Sequence, residues 1–79
     1  MPRDHQLPSE RVTADLRRRI DAGEWRPGEA LPSVTDLSAA YRVSRATVSK
    51  ALRVLVDEGK LVTRARWGTF VAPVDDQPG

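Results

Sequence analysis

Cysteine is absent from this 79-residue chain, and methionine, histidine, tyrosine and phenylalanine each occur once. Without cysteine the protein has neither a disulfide framework nor a thiolate metal site, which is typical of a cytosolic protein. The lone His5 lies in the N-terminal segment, apart from any carboxylate cluster. We therefore expect no catalytic site, no bound metal ion and no cofactor, and the residue inventory argues against a small enzyme.

Long apolar runs are also missing, which excludes a membrane span, and the first ten residues, MPRDHQLPSE, lack the apolar stretch of a signal peptide. The chain is 39% hydrophobic and 30% charged, a balance typical of one small soluble globular domain. We predict a flexible tail over residues 1–8, a folded domain over 9–72, and a flexible tail or linker start over 73–79.

Positive charge is concentrated in one part of the chain. The net charge is only +2, but residues 42–66 carry seven basic side chains against Asp57 and Glu58. Such a block on a small fold is typical of a protein that binds a polyanion, although a solvated charged face gives the same pattern. The order of the structural elements in this block distinguishes the two interpretations.

Three helices are predicted from apolar periodicity and capping residues. The first covers 9–22, with Ser9 as N-cap and Gly23 as its stop. The second begins after Ser33 and ends near Arg42. The third covers 45–58 and is capped by Ser44. The residues expected to face the interior are Val12, Leu16 and Ile20 in the first helix, Leu37, Ala40 and Tyr41 in the second, and Val48, Ala51, Leu52, Leu55 and Val56 in the third.

Segments rich in β-branched residues follow the third helix. LVTRAR (61–66) and TFVA (69–72) predict a β-hairpin that turns at Trp67-Gly68, and Ala30-Leu31 has room only for a very short strand. This order predicts a mainly α winged helix-turn-helix fold with three helices, a short strand and a two-stranded wing. Its expected core is Val12, Leu16, Ile20, Leu37, Val48, Leu52, Leu55, Leu61 and Phe70.

Four sequence pieces occur in a fixed order: PGEALPS before the second helix, VSRATVSKAL across the turn and third helix, LVDEGKLV at the end of that helix, and GTFV on the last strand. With them the chain, from about Leu7 to Val71, resembles the N-terminal domain of the GntR family of bacterial transcription regulators. Three positions depart from the family pattern. The family often has arginine at the position of Thr35, a second basic residue at Ser49, and arginine at Trp67.

The first turns of the third helix form the expected reading surface, because a recognition helix presents this end to the floor of the major groove. Arg45 is the predicted base reader, since its planar guanidinium matches O6 and N7 of guanine; a phosphate contact or a solvated arginine are the alternatives. Lys50 and Arg53 suit phosphate contact, although Arg53 can instead pair with Asp57 one turn later.

Small and hydroxyl-bearing residues extend this surface. Ala46 allows close approach or contacts a thymine methyl, unless it serves helix propensity alone. Thr47 and Ser49 can donate to phosphate, and Thr47 can instead cap the first turn. The free N–H groups that begin the second and third helices are further phosphate sites, which adds Ser33, Thr35 and Ser44.

The hairpin is expected to lie over a phosphate strand or in the minor groove, where Arg64 and Arg66 suit the negative potential. Gly68 permits a positive φ and close approach to a phosphate, or serves the turn alone. Thr69 belongs to the same tip. Trp67 is expected to pack on the domain as an aromatic anchor, with stacking on a sugar as the alternative.

The predicted function is sequence-specific binding of double-stranded DNA by the operator-reading domain of a regulator, as a repressor, with helix 45–58 in the major groove and hairpin 61–71 on the backbone or in the minor groove. The resemblance implies a two-fold operator, a homodimeric full-length protein, and a small-molecule effector bound by a C-terminal domain beyond these residues. The isolated domain is expected to be monomeric and cytoplasmic, at the nucleoid. The alternative is a winged-helix protein-interaction module that does not bind DNA, which Thr35 and Ser49 favour.

Overall fold

Residues 7–73 are described by the computed structural model, and residues 1–6 and 74–79 lie outside the described part. The predicted terminal tails fall almost entirely on those outer residues and stay predictions. Three helices and a two-stranded antiparallel sheet follow in chain order, which confirms the mainly α winged helix-turn-helix prediction. The elements are α1 (Pro8–Asp21), α2 (Val34–Tyr41), α3 (Arg45–Asp57), β1 (Leu61–Arg64) and β2 (Gly68–Val71).

Helix α1 begins one residue earlier than predicted, and Ser9 is not its N-cap. Leu7 is the N-cap, and Pro8 occupies the first helical position, where the missing N–H of proline costs nothing. The Glu10 carboxylate, at the third helical position, accepts a hydrogen bond of 3.2 Å from the Leu7 N–H and so closes the first turn from within the helix. Ser9 is buried inside the first turn.

The starts of α2 and α3 are as predicted. The Ser33 hydroxyl accepts the Asp36 N–H at 3.0 Å, and the Ser44 hydroxyl accepts the Thr47 N–H at 3.0 Å. Helix α2 ends at Tyr41, and its C-cap, Arg42, has a left-handed backbone with φ 59° and ψ 47°. The predicted inner face of α2 is wrong at Ala40, which is exposed, because an eight-residue helix turns only Leu37 fully inward.

The hairpin pairs Leu61 with Val71 and Arg64 with Gly68. Its turn is Ala65–Trp67, closed by a hydrogen bond of 2.9 Å from the Trp67 N–H to the Arg64 carbonyl. The central pair of the turn is therefore Ala65-Arg66, two residues earlier than the predicted Trp67-Gly68. The short strand predicted at Ala30-Leu31 is a single bridge from Ala30 to Phe70. The Leu31 N–H adds a bond of 2.9 Å to the Thr69 carbonyl, which fastens the segment before α2 to the wing.

The core lies where α1, α3 and the base of the hairpin meet. Two of the predicted core residues are only half-buried: Ile20 packs against the core from its edge, and Phe70 lies on the other face of the hairpin. Phe70 pairs with Val62, and both alternate with the buried pair Leu61 and Val71, so the two-residue period of a strand turns them outward. The buried hydrophobic residues are Val12, Leu16, Leu31, Leu37, Val48, Ala51, Leu52, Leu55, Leu61 and Val71.

A polar cluster joins α1 to the end of α2. The Tyr41 hydroxyl donates to Asp15 Oδ2 at 2.5 Å and accepts from Arg19 Nη1 at 2.9 Å. The Arg19 guanidinium lies 4.7 Å from the centre of the Trp25 ring. Donation from Tyr41, opposed by burial and supported by Arg18, lowers the pKa of Asp15, while burial and Asp15 raise the pKa of Tyr41.

Two ion pairs join α1 to the end of α3 and the residue before β1. Arg17 forms a two-pronged pair with Glu58, with Nε to Oε1 at 2.9 Å, and Lys60 pairs with Asp21 at 2.9 Å. The Arg17 and Glu58 side chains are about one third exposed, at 37% and 34%, so solvent screens the pair and we expect it to add little to stability. Their main effect is that Arg17 and Lys60 each already have a carboxylate partner within the chain.

The first prediction concerns the polar cluster. Because the pKa of Asp15 is lower in the folded protein than in the unfolded chain, its stabilising contribution is complete above the ordinary pKa of 3.8 and is lost as the pH falls through the folded value. Replacing Tyr41→Phe should lower the free energy of unfolding by about 1 to 2 kcal/mol at pH 7 and by less at pH 3, as measured by denaturant titration.

The control is the same comparison in an Asp15→Asn background. Without an ionisable group at position 15, the cost of Tyr41→Phe should no longer change between the two pH values. An equal cost at pH 7 and pH 3 with Asp15 intact would show that the carboxylate does not depend on the Tyr41 hydroxyl.

The second prediction concerns Arg42. A left-handed backbone costs a non-glycine residue about 1 to 2 kcal/mol, and glycine escapes this cost while losing about 0.5 to 1 kcal/mol of chain entropy. Arg42→Gly should therefore raise the free energy of unfolding by several tenths of a kcal/mol. Arg42→Ala keeps the Cβ and the strain, so it should give no gain; equal stabilisation by both variants would assign the effect to charge instead.

Candidate nucleic-acid interface

The exposed face of α3 has two flanks, each set by the 3.6-residue period of the helix. Arg45, Ser49 and Arg53 recur every fourth residue along one flank. Along the other flank lie Ala46, Lys50 and Val54, and all six residues are exposed. The opposite side of the helix is the buried stripe of Val48, Ala51, Leu52 and Leu55. The inward and outward faces of the predicted recognition helix are therefore as expected.

The hairpin-side groove lies between α3, the start of α2 and the wing. It has a volume of about 300 Å³. It brings Ser49 and Arg53 of α3 beside Thr69 of β2, three residues that the sequence predicted as part of the site. Thr63 of β1 also lines it and was missed. The alternation of β1 could have revealed Thr63, because it is two residues from the buried Leu61 and so lies on the same face. Its lining is Val34, Ser49, Leu52, Arg53, Val56, Thr63 and Thr69.

Lys50 lies on the other flank, in a groove of about 390 Å³ between α3 and the first half of α1, here called the α1-side groove. Neighbouring residues of a helix point about 100° apart, so Lys50 does not occupy the direction of Ser49 despite following it in sequence. The two flanks of α3 therefore differ in chemistry. The lining of the α1-side groove is Leu7, Ser9, Glu10, Thr13, Ala14, Arg17, Lys50 and Val54.

The N-termini of α2 and α3 carry the predicted hydroxyl groups. Ser33 and Thr35 are exposed at the start of α2. At the start of α3, Ser44 both accepts from the Thr47 N–H and donates to Thr47 Oγ1 at 2.9 Å. Thr47 is half-buried, which favours the capping interpretation of this residue over direct contact with a ligand.

The wing tip is exposed from Arg64 to Gly68. The prediction that Trp67 packs on the domain is wrong: its side chain is 76% exposed, because the turn places it at the end of the hairpin beyond the reach of the core. Gly68 has a positive φ of 108°, as its predicted role requires, and Arg66 also has a positive φ of 74°, the sign found at the third position of a type II turn.

Basic side chains of α1 and those of α3 and the wing differ in how many of them form an ion pair with a carboxylate. Within residues 7–73 every ion pair uses Lys60 or an arginine of α1, namely Arg17, Arg18 or Arg19. In the same range no carboxylate pairs with the basic residues of α3 and the wing, so the alternative Arg53–Asp57 pair is not formed. The cations that stay unpaired there are Arg45, Lys50, Arg53, Arg64 and Arg66.

Other kinds of site find no support in the described part of the chain. No group of three or more histidine, cysteine or carboxylate side chains lies close enough to hold a metal ion among these residues. No helix there combines the length and apolarity needed to cross a membrane. One exposed cation that the sequence interpretation passed over is Arg42, two residues before the N-cap of α3, and its left-handed backbone had no signal in the sequence.

Several solved structures share this fold. AraR(DBD) in complex with operator ORR3 superposes with a TM-score of 0.83 at 30% identity, covering 91% of this chain and 88% of that one. The complex with operator ORE1 gives a TM-score of 0.84 at 30% identity, covering 90% of each chain. The fold is therefore that of DNA-binding domains seen on their operators.

Curated relatives are longer proteins. The histidine utilization repressor of Klebsiella aerogenes is 43% identical over 72 residues, which are 90% of this chain and 30% of that protein. The mannosyl-D-glycerate transport/metabolism system repressor MngR of Escherichia coli K12 is 43% identical over 65 residues, which are 81% of this chain and 27% of that protein. The chain thus spans less than a third of the length of these relatives.

The family match extends over residues 8–71, from the first residue of α1 to the last residue of β2. It includes all four sequence pieces that carried the resemblance. This protein belongs to the gntR family of bacterial regulatory proteins.

Proposed function

We propose that this chain binds double-stranded DNA in a sequence-specific manner and is the operator-reading domain of a transcriptional repressor. The observation that carries the proposal is the separation of paired from unpaired cations. Five basic side chains on α3 and the wing have no carboxylate partner within residues 7–73, whereas Lys60 and three of the four arginines of α1 are held by Asp15, Asp21, Glu24 and Glu58. The fourth arginine of α1, Arg11, is exposed and unpaired in the same range. Unpaired cations on one surface supply the phosphate contacts that dominate affinity for DNA.

Helix α3 is the recognition helix of the proposal. An α-helix with its side chains is about 10–12 Å wide and fits the major groove, which is about 12 Å wide. When its N-terminal turn enters first, Arg45 reaches the base edges, and Ala46 lets the helix approach closely. Arg53 lies two turns further along the same flank and contacts the phosphate strand, and Lys50 serves the strand on the other flank.

The wing supplies the second contact. Arg64 ends β1 and Arg66 lies in the turn, both exposed, and Trp67 extends beyond the core at the tip. Arginine suits the negative potential of the minor groove, and an exposed indole can stack on a deoxyribose face. The start of α2, with Ser33 and Thr35, offers free N–H groups to a phosphate between these two contacts.

The longer relatives support a wider proposal for the whole protein. The histidine utilization repressor and MngR carry the word repressor in their names, and each is more than three times the length of the matched segment. We infer that the full-length protein is a homodimer that reads a two-fold operator in the cytoplasm, at the nucleoid. A C-terminal domain binds the small-molecule effector, and the domain described here is non-enzymatic and monomeric when alone.

A salt series distinguishes this function from a winged-helix module that binds only proteins. If five or six phosphates are neutralised, the logarithm of the affinity should fall with the logarithm of the salt concentration at a slope of about −5. The probe is a duplex selected from a random pool, and the measurement is fluorescence anisotropy. No binding at low salt, or a slope near zero, would favour the protein-interaction module.

Substitution tests the assignment of roles within α3. Arg45→Ala should cost about 1–3 kcal/mol on the selected duplex and relax the base preference, whereas Lys50→Ala should weaken selected and scrambled duplexes alike. Arg18→Gln is the matched control, since it removes one charge from an α1 side chain that is 71% exposed and pairs with Asp15. Equal losses on both duplexes for Arg45→Ala would show that another residue reads the bases.

A further inference from the structure

Exposed apolar side chains concentrate in the α1-side groove. In the described part of the chain the large hydrophobic residues that stay exposed are Leu7 at 54%, Val54 at 38% and Trp67 at 76%. Trp67 is at the wing tip, but Leu7 and Val54 line the same groove together with Ala14. Single exposed apolar residues are ordinary on a protein surface, whereas two that share one concave site offer a combined apolar contact to a partner.

The same groove carries two opposite charges that do not neutralise each other. Glu10 of α1 and Lys50 of α3 both line it, and within residues 7–73 neither forms an ion pair. The third charged residue of the groove, Arg17, is already held by Glu58. The groove therefore offers one acid and one base without an ion-pair partner, together with apolar side chains, and such a surface complements a copy of itself turned through 180°.

We propose that the α1-side groove is the contact surface between two copies of this chain bound to neighbouring half-sites, an inference that rests on the proposed DNA-binding function. Across the two-fold axis, Leu7 and Val54 of the two copies pack together, and Glu10 of each copy faces Lys50 of the other. The Lys50 ammonium has three N–H donors, so a carboxylate and a phosphate can both be satisfied.

The position of the groove fits this arrangement. Helix α3 separates it from the hairpin-side groove, which contains Thr63 and Thr69 of the wing. A second copy seated on the α1 side therefore leaves the wing free, and both wings lie at the outer ends of the complex. One groove of this size is too small for a stable dimer in free solution, where specific interfaces bury roughly 1,200–2,000 Å² in total. The contact forms when DNA holds the two copies side by side.

The test compares one selected half-site with duplexes that carry two inverted half-sites at every spacing from 0 to about 10 base pairs, roughly one helical turn. At one spacing the second copy should bind about tenfold more tightly than the first, a coupling within the usual range. Val54→Gln keeps a good helix former and removes the apolar contact. It should abolish the tenfold gain and leave half-site affinity unchanged.

Further variants distinguish loss of the proposed contact from loss of stability. Leu7→Ser introduces a better N-cap residue, so it should abolish the gain without loss of stability. Glu10→Gln keeps an acceptor for the Leu7 N–H and removes the charge, and it should reduce the gain. Ala40→Gln, exposed on α2 and outside the groove, is the matched control and should leave the gain intact.

Each other outcome overturns the inference. Independent binding of the two copies at every spacing, or a gain that survives both Val54→Gln and Leu7→Ser, excludes this groove as the contact. A gain that appears only after residues 1–6 are deleted shows that the N-terminal residues of the chain itself occupy the groove. Failure to bind even one half-site refutes the DNA-binding proposal as well, whereas intact half-site binding without coupling refutes the contact alone.

Discussion

Packing of α3 against α1 and the hairpin is the constraint on which the other features depend. Val48, Ala51 and Leu55 are fully buried and repeat with the period of the helix, so one side of α3 is committed to the core. The remaining face then has a fixed direction, and every side chain on it is presented from a rigid support. Sites built on such elements are held more accurately than sites on loops. The packing of the core therefore also sets the orientation of the proposed DNA-binding surface.

The distribution of charge on α3 and the wing favours contact with phosphate groups. The acidic residues that lie in or next to α3 in the sequence, Asp57 and Glu58, are at its C-terminal end, and Glu58 pairs with Arg17 of α1. The sequence from Ser44 to Val56 in α3 and that from Leu61 to Val71 in the wing contain no carboxylate side chain. An intramolecular partner would have to be displaced before a phosphate could bind. The absence of one within the described residues keeps that cost low.

Capping residues in the sequence predict where a helix begins when only one nearby residue can serve as the N-cap. Ser33 and Ser44 precede apolar periods and were recognised as N-caps, and both hydroxyl groups make the expected bonds. The same rule predicts Ser9 as an N-cap and is wrong there, because Pro8 at the first helical position and Glu10 at the third place the N-cap at Leu7, two residues earlier. Ala40 failed for a related reason: a helix of eight residues has too few turns for its period to define a broad inner face.

The sequence by itself determined the element order, the two faces of α3 and the family, since periodicity, caps and motif spacing are local properties of the chain. Tertiary structure decided which flank of α3 meets which neighbour. It placed Lys50 beside α1 and Ser49 beside the wing, brought Thr63 to Arg53, and left Trp67 exposed at the hairpin tip. Those outcomes depend on how far the hairpin extends and on what packs beside each helix. No stretch of neighbouring residues encodes such long-range geometry.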